Sequence, residues 1–132
     1  MKTYIQKLIG TAVLGLALIS HSLPVWAGSA YLPEVAIFFD PGPRAGGTMA
    51  GARYSGDTQQ YIGCSSSNYN GPFVMCSARD KTGKSAVCTS TDVKWFATVK
   101  AMTDSSYIYF TPSPGTGTCN YLQVTNTSQY LR

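Results

Sequence analysis

The strongest apolar stretch in the chain runs over 8–19, follows Lys2 and Lys7, holds no charge, and is broken by Ser20, His21, Ser22 and Pro24. It is shorter than the roughly 20 residues a membrane-spanning helix needs. A basic start, an apolar centre and Val25-Trp26-Ala27 at the end predict a secretory signal over 1–27, cleaved after Ala27. The competing reading is an uncleaved anchor. After the signal the apolar positions are short and widely punctuated. Val35-Ala36-Ile37-Phe38-Phe39 is followed by Asp40-Pro41-Gly42-Pro43 and then Gly46-Gly47, which predicts one short strand or buried stretch inside an otherwise irregular arm over 28–57.

From residue 58 onward the pattern is more regular. Gln60-Tyr61-Ile62-Gly63-Cys64 alternates and ends in Ser, Asn, Gly and Pro, as a strand running into a turn does. Segments 73–79 and 85–89 flank the polar turn Lys81-Thr82-Gly83-Lys84 and predict a hairpin. Over 92–102, Val93, Trp95, Ala97, Val99 and Ala101 alternate as a strand would, but Phe96 interrupts the alternation. Read as a helix, the same segment has capping chemistry over 89–92, Lys100 near its end, and Trp95, Phe96, Val99 and Met102 on one face. The helix is the reading we favour. Two strands, 106–111 and 119–125, close the chain around the loop Pro112-Ser113-Pro114-Gly115-Thr116-Gly117. The predicted fold class is α+β: a small antiparallel β-sheet with one packed helix at about 92–102, forming a domain over 58–132 behind the arm.

The cysteines add a constraint. Removing 27 of the 132 residues leaves 105 with Cys64, Cys76, Cys88 and Cys119, an even number in an exported chain, which predicts two disulfides. The absence of any paired C-x2-C knuckle argues against a zinc site built from the four. A hairpin centred on Thr82 places Cys76 opposite Cys88 and pairs Cys64 with Cys119, the arrangement we favour. A turn around Asn70-Gly71 would set Cys64 opposite Cys76 by the same geometry.

Charge and composition mainly exclude. With Lys2 and Lys7 gone, eight scattered basic residues stand against six acidic ones, a net +2 with no basic cluster, so nucleic acid is not an expected partner. The only histidine, His21, lies in the signal, which removes Ser-His and Cys-His nucleophile systems. No dedicated calcium loop or phosphate loop is present, and Gly42-Pro43-Arg44-Ala45-Gly46-Gly47 lacks the Gly-Lys-Ser/Thr ending. No cofactor and no metal are expected. The acids are isolated in sequence and suit turns and caps: Asp40, Asp57 and Asp104 starting turns, Asp92 capping a helix, Asp80 pairing with Arg79 or Lys81.

Taken together, Tyr61-Ile62-Gly63-Cys64, Cys76 with Ala78-Arg79-Asp80, Cys88 before the helix, Asp104-Ser105-Ser106-Tyr107-Ile108-Tyr109-Phe110 and Cys119 resemble small exported bacterial disulfide-containing proteins of an uncharacterised family. The likeness covers 51–132. It implies shared cysteines and a shared helix, and it transfers no catalytic residues.

Eight tyrosines follow the signal, and tyrosine suits surfaces that touch a protein or a sugar as well as half-buried sheet faces. In Tyr107-Ile108-Tyr109-Phe110, either the tyrosines or Ile108 with Phe110 must face outward, and the phenolic hydroxyls assign the tyrosines to that side. With Tyr121 on the next strand they define the expected binding face: Tyr107, Tyr109 and Tyr121. The resulting expectation is a secreted or periplasmic, non-catalytic binding module for a protein or glycan. It has no stable membrane span after cleavage and is able to dimerise through a strand edge or the aromatic face. The alternatives are a carboxylate-based hydrolase of an extracellular polymer and a structural envelope component.

Overall fold

The computed structural model describes residues 31–131. The predicted signal over 1–27 lies outside the described residues. The element order is β1 (Ala36–Phe38), β2 (Arg44–Thr48), α1 (Met49–Arg53), β3 (Tyr61–Ser67), β4 (Phe73–Arg79), β5 (Ser85–Ser90), α2 (Val93–Lys100), β6 (Tyr107–Pro112), β7 (Cys119–Thr125) and a 3-10 turn, Ser128–Tyr130. The strands form two antiparallel sheets, one in the order β1-β2-β6-β7 and the other β3-β4-β5. The α+β class and the packed helix are as expected, but the single predicted sheet is divided in two and α1 is an additional short helix.

The core lies between the sheets and is built largely from small and medium-sized residues. Ile37, Ala45, Ile108, Phe110 and Leu122 enter from the first sheet, Ile62, Val74, Ala78 and Ala86 from the second, and Val99 from α2. Trp95, Phe96 and Met102 pack against it part-buried, so the helical face read from the sequence is the one that turns inward. Asp92 caps α2, its Oδ1 accepting from the Lys94 N–H at 2.9 Å.

The segment expected to be irregular supplies two of the four strands of the first sheet. Local signals are misleading there because Gly46 and Gly47 usually mark a break. In the fold a side chain at Gly47 would lie 2.9 Å from Val35 Cα, so the pair permits close packing within a strand. Thr48 then ends β2 and caps α1. Its Oγ1 accepts from Gly51 N at 2.8 Å and donates to Pro33 O at 3.1 Å. Between α2 and β6, Ser106 is fully buried and donates to Asn126 Oδ1, while Asn126 Nδ2 donates to Ala101 O at 3.0 Å. These bonds fix the end of α2 against the end of β7.

Two disulfides are present, Cys64–Cys76 and Cys88–Cys119, which corrects the favoured pairing of Cys76 with Cys88 and Cys64 with Cys119. The reason lies in the register. Cys76 sits on the central strand of the second sheet, directly opposite both Cys64 and Cys88, so hairpin geometry permits either partner. The choice is made by contact with the other sheet: Thr89 N–H on β5 donates to Gly117 O, in the loop between β6 and β7, at 2.9 Å, and this brings Cys119 to Cys88. Cys64–Cys76 therefore joins neighbouring strands, and Cys88–Cys119 joins the two sheets.

Candidate functional site

β6 alternates as its sequence demands. Ile108 and Phe110 have no exposed surface, while Tyr107 and Tyr109 stand half-buried on the opposite, outer face of the first sheet. Tyr121 joins them from β7 and is 45% exposed. In the β6–β7 ladder Tyr109 faces Gln123 and Thr111 faces Tyr121, so Tyr109 and Tyr121 are diagonal neighbours. Their rings meet edge to face, with centroids 6.0 Å apart at 66°. Tyr121 in turn meets Trp95 edge to face at 6.4 Å and 70°. At the other end Tyr107 stacks on Tyr130, with centroids 5.7 Å apart and planes 28° from parallel.

All three expected binding residues thus share one face. Trp95 and Tyr130 belong to the same aromatic surface and were not anticipated from the sequence. Trp95 lies on a helix whose hydrophobic spacing marks it as core, and α2 flanks the β7 edge of the sheet, where its ring reaches Tyr121. Tyr130 follows the last strand in a single 3-10 turn that has no periodic signal. Gly46 is the other unanticipated member. It faces Tyr109 across the β2–β6 ladder, and a Cβ at that position would lie 2.6 Å from Tyr107 Oη and 3.1 Å from Tyr109 Cδ2.

Polar groups run beside the rings. Tyr121 Oη donates to Gln123 Oε1 at 3.2 Å, and Gln123 Nε2 donates to Thr125 Oγ1 at 3.1 Å, which forms a ladder along the outer side of β7. The guanidinium of Arg44 lies 5.1 Å from the centroid of the Phe38 ring. Next to it a shallow depression of about 240 Å³ is lined by Arg44, Tyr109, Thr111 and Asn120 with Pro41 and Pro43. Burial raises the pKa of the Tyr107 phenol, reinforced by the neighbouring Tyr130, Tyr109 and Tyr31, so its hydroxyl keeps its proton at neutral pH.

The carboxylates are distributed in other roles. Asp80 accepts from the Thr82 hydroxyl at 2.7 Å, Thr82 N–H at 2.8 Å and Lys84 N–H at 3.1 Å, so it organises the β4–β5 turn instead of pairing with Arg79 or Lys81. Lys81 reaches Glu34 at 3.2 Å. Asp57 accepts from Gln59 and Gln60 N–H and from Gln60 Nε2. Among the described residues no acid lines the depression at Tyr109. The sulfurs of Cys76, Cys88 and Cys119 lie within 4.8 Å of one another, but each is held in a disulfide and offers no thiolate to a cation.

Among the described residues no helix is long and apolar enough to cross a membrane. No family model, curated protein or solved structure matches the chain.

Proposed function

We propose that the protein is an exported, non-catalytic binding domain that engages a glycan on the outer face of its first sheet. The observation that carries this reading is the joining of Tyr109, Tyr121 and Trp95 into one aromatic surface beside the Tyr121–Gln123–Thr125 hydrogen-bonded ladder. A sugar ring presents an apolar C–H face and a rim of hydroxyls. An aromatic surface bordered by hydroxyl and amide groups answers both, with little conformational entropy lost by the tyrosines. The adjoining depression, with Asn120, Thr111 and Arg44 at its wall, adds donors where a chain of sugars would continue. Export fits the predicted signal over 1–27 and the two disulfides, which persist in a periplasmic or extracellular setting.

The test is affinity electrophoresis of the oxidised protein through gels containing soluble polysaccharides, together with binding to an array of cell-wall and capsular glycans. Retardation by at least one glycan is expected, lost in Tyr121→Ala and Tyr109→Ala and retained in Tyr69→Ala, whose ring is 91% exposed and belongs to neither sheet. The Tyr109 variant separates surface from core. Its unfolding free energy should fall by about 1 kcal/mol for the lost ring contact, against about 3–5 kcal/mol for Phe110→Ala. Failure of every glycan to bind, or retention unchanged in both variants, overturns the glycan reading.

A further inference from the structure

A second depression lies beyond the Tyr107–Tyr130 end of the sheet face, where α1, the start of β3, the turn before β6 and the 3-10 turn meet. It has a volume of about 600 Å³, within the range of roughly 300–1,000 Å³ typical of small-molecule sites. Its apolar lining comes from Met49, Ala52 and Ile62, and its aromatic walls from Tyr54, Tyr61 and Tyr130. Tyr130 is held there by its stack on Tyr107, so that wall is preformed.

Two full charges of opposite sign line the same cleft, Arg53 at the end of α1 and Asp104 in the turn before β6. Among the described residues the ion pairs are Lys81–Glu34 and Lys94–Asp92, so Arg53 and Asp104 do not pair with each other. Among the described residues neither makes a side-chain hydrogen bond, whereas two other polar side chains of the cleft are engaged, Gln60 by Asp57 and by Val35 N–H and Ser105 by the Thr103 hydroxyl. A cation and an anion sharing a cleft with apolar and aromatic walls, both uncommitted, complement a ligand that carries both charges. A simple anion would meet Asp104, and a simple cation would meet Arg53.

We propose that this cleft binds a zwitterionic α-amino acid with an apolar or aromatic side chain. Arg53 receives the α-carboxylate, Asp104 the α-ammonium, and the tyrosine walls the side chain. The guanidinium offers a bidentate fork to the carboxylate. The inference does not depend on the glycan reading, because the Tyr109–Tyr121–Trp95 surface takes no part in it.

The test is a titration of the isotopically labelled, oxidised protein with L-phenylalanine, followed by two-dimensional NMR, with L-leucine as the aliphatic probe. Saturable shifts centred on Arg53, Tyr61 and Asp104 are expected. Two half-ligands divide the charges: 3-phenylpropanoate lacks the ammonium and phenethylamine lacks the carboxylate. Each should bind at least about tenfold more weakly than L-phenylalanine, since each leaves one protein charge without its partner. Arg53→Ala and Asp104→Asn should weaken L-phenylalanine by a similar factor while leaving the melting temperature unchanged, because both side chains are exposed and unbonded. The proposal is overturned if neither amino acid gives saturable shifts up to about 10 mM. It is also overturned if a half-ligand binds as well as L-phenylalanine, or if the variants bind unchanged.

Discussion

Gly46 and Tyr109 are direct partners in the β2–β6 ladder, and the space a side chain would need at Gly46 is occupied by tyrosine rings, with Tyr107 Oη 2.6 Å and Tyr109 Cδ2 3.1 Å from where a Cβ would stand. The backbone of one strand therefore serves as the floor on which the aromatic surface of the next strand lies. Glycine weakens a strand in isolation, but covering it with a cross-strand aromatic recovers packing on the outer face.

Gly46→Ala should accordingly displace both tyrosines and cost about 1–2 kcal/mol. Gly63 provides the control, because it lies in β3 with none of the described residues within 4 Å of where a methyl group would stand and has no positive φ. Gly63→Ala should be neutral or stabilising by up to about 1 kcal/mol, the ordinary benefit of replacing a strand glycine. Urea unfolding measures both, and near-ultraviolet circular dichroism follows the tyrosines. Equal effects at the two positions would show that the ring-on-backbone packing contributes nothing.

The legible parts of this fold are those where local and tertiary demands agree. β6 is readable because Tyr and Ile/Phe alternate with period two and only one side is covered. α2 is readable because Asp92 can cap it and Trp95, Phe96, Val99 and Met102 return at helical spacing. β2 is not, because Arg44-Ala45-Gly46-Gly47-Thr48 obeys a tertiary demand. Its glycines make room for Val35 on one side and for Tyr107 and Tyr109 on the other. The candidate surface was legible to the extent that it follows strand alternation, which covers Tyr107, Tyr109 and Tyr121. Trp95 and Tyr130 arrive from a helix and a terminal turn, and no pattern along the chain states that these elements flank the sheet.

The cysteine pairing failed for the related reason that Cys76 has two equivalent neighbours and the deciding contact comes from a strand 31 residues beyond Cys88. That topology also ranks the two bridges. Cys64–Cys76 closes a separation of 12 residues and duplicates a seven-residue ladder between β3 and β4, whereas Cys88–Cys119 closes 31 residues and is the covalent tie between the sheets. On loop-closure entropy, removing the pairs should cost about 3 and about 4 kcal/mol respectively. Guanidinium unfolding of Cys64→Ala/Cys76→Ala and Cys88→Ala/Cys119→Ala checks the order. A larger loss from the first pair would contradict the role assigned to the inter-sheet bridge.

The carboxylates make the same structural argument accessible through pH. The Gln60 side chain, with the Gln59 and Gln60 N–H groups, holds the Asp57 carboxyl down at about 2, below its ordinary 3.8. For Asp80 burial acts to raise the pKa, but the Thr82 hydroxyl, the Thr82 and Lys84 N–H groups and the Lys84 charge outweigh it, and the net shift is downward. A carboxyl with a lower pKa in the folded than in the unfolded chain contributes stability that is complete above the unfolded value and disappears as pH falls through the folded one. The melting temperature should therefore be nearly flat from about pH 7 to 5 and decline from about pH 4 toward 2. Asp57→Asn and Asp80→Asn keep an acceptor oxygen but remove the charge, so each should lower the melting temperature at neutral pH. Each should also flatten the acid decline, converging with the parent protein near pH 2 for Asp57. Differential scanning calorimetry across this range reads both effects. Variant curves that run parallel to the parent curve down to pH 2 would show that these carboxylates are no better bound in the folded chain than in the unfolded one, and the turn at Asp80 would then need another source of order.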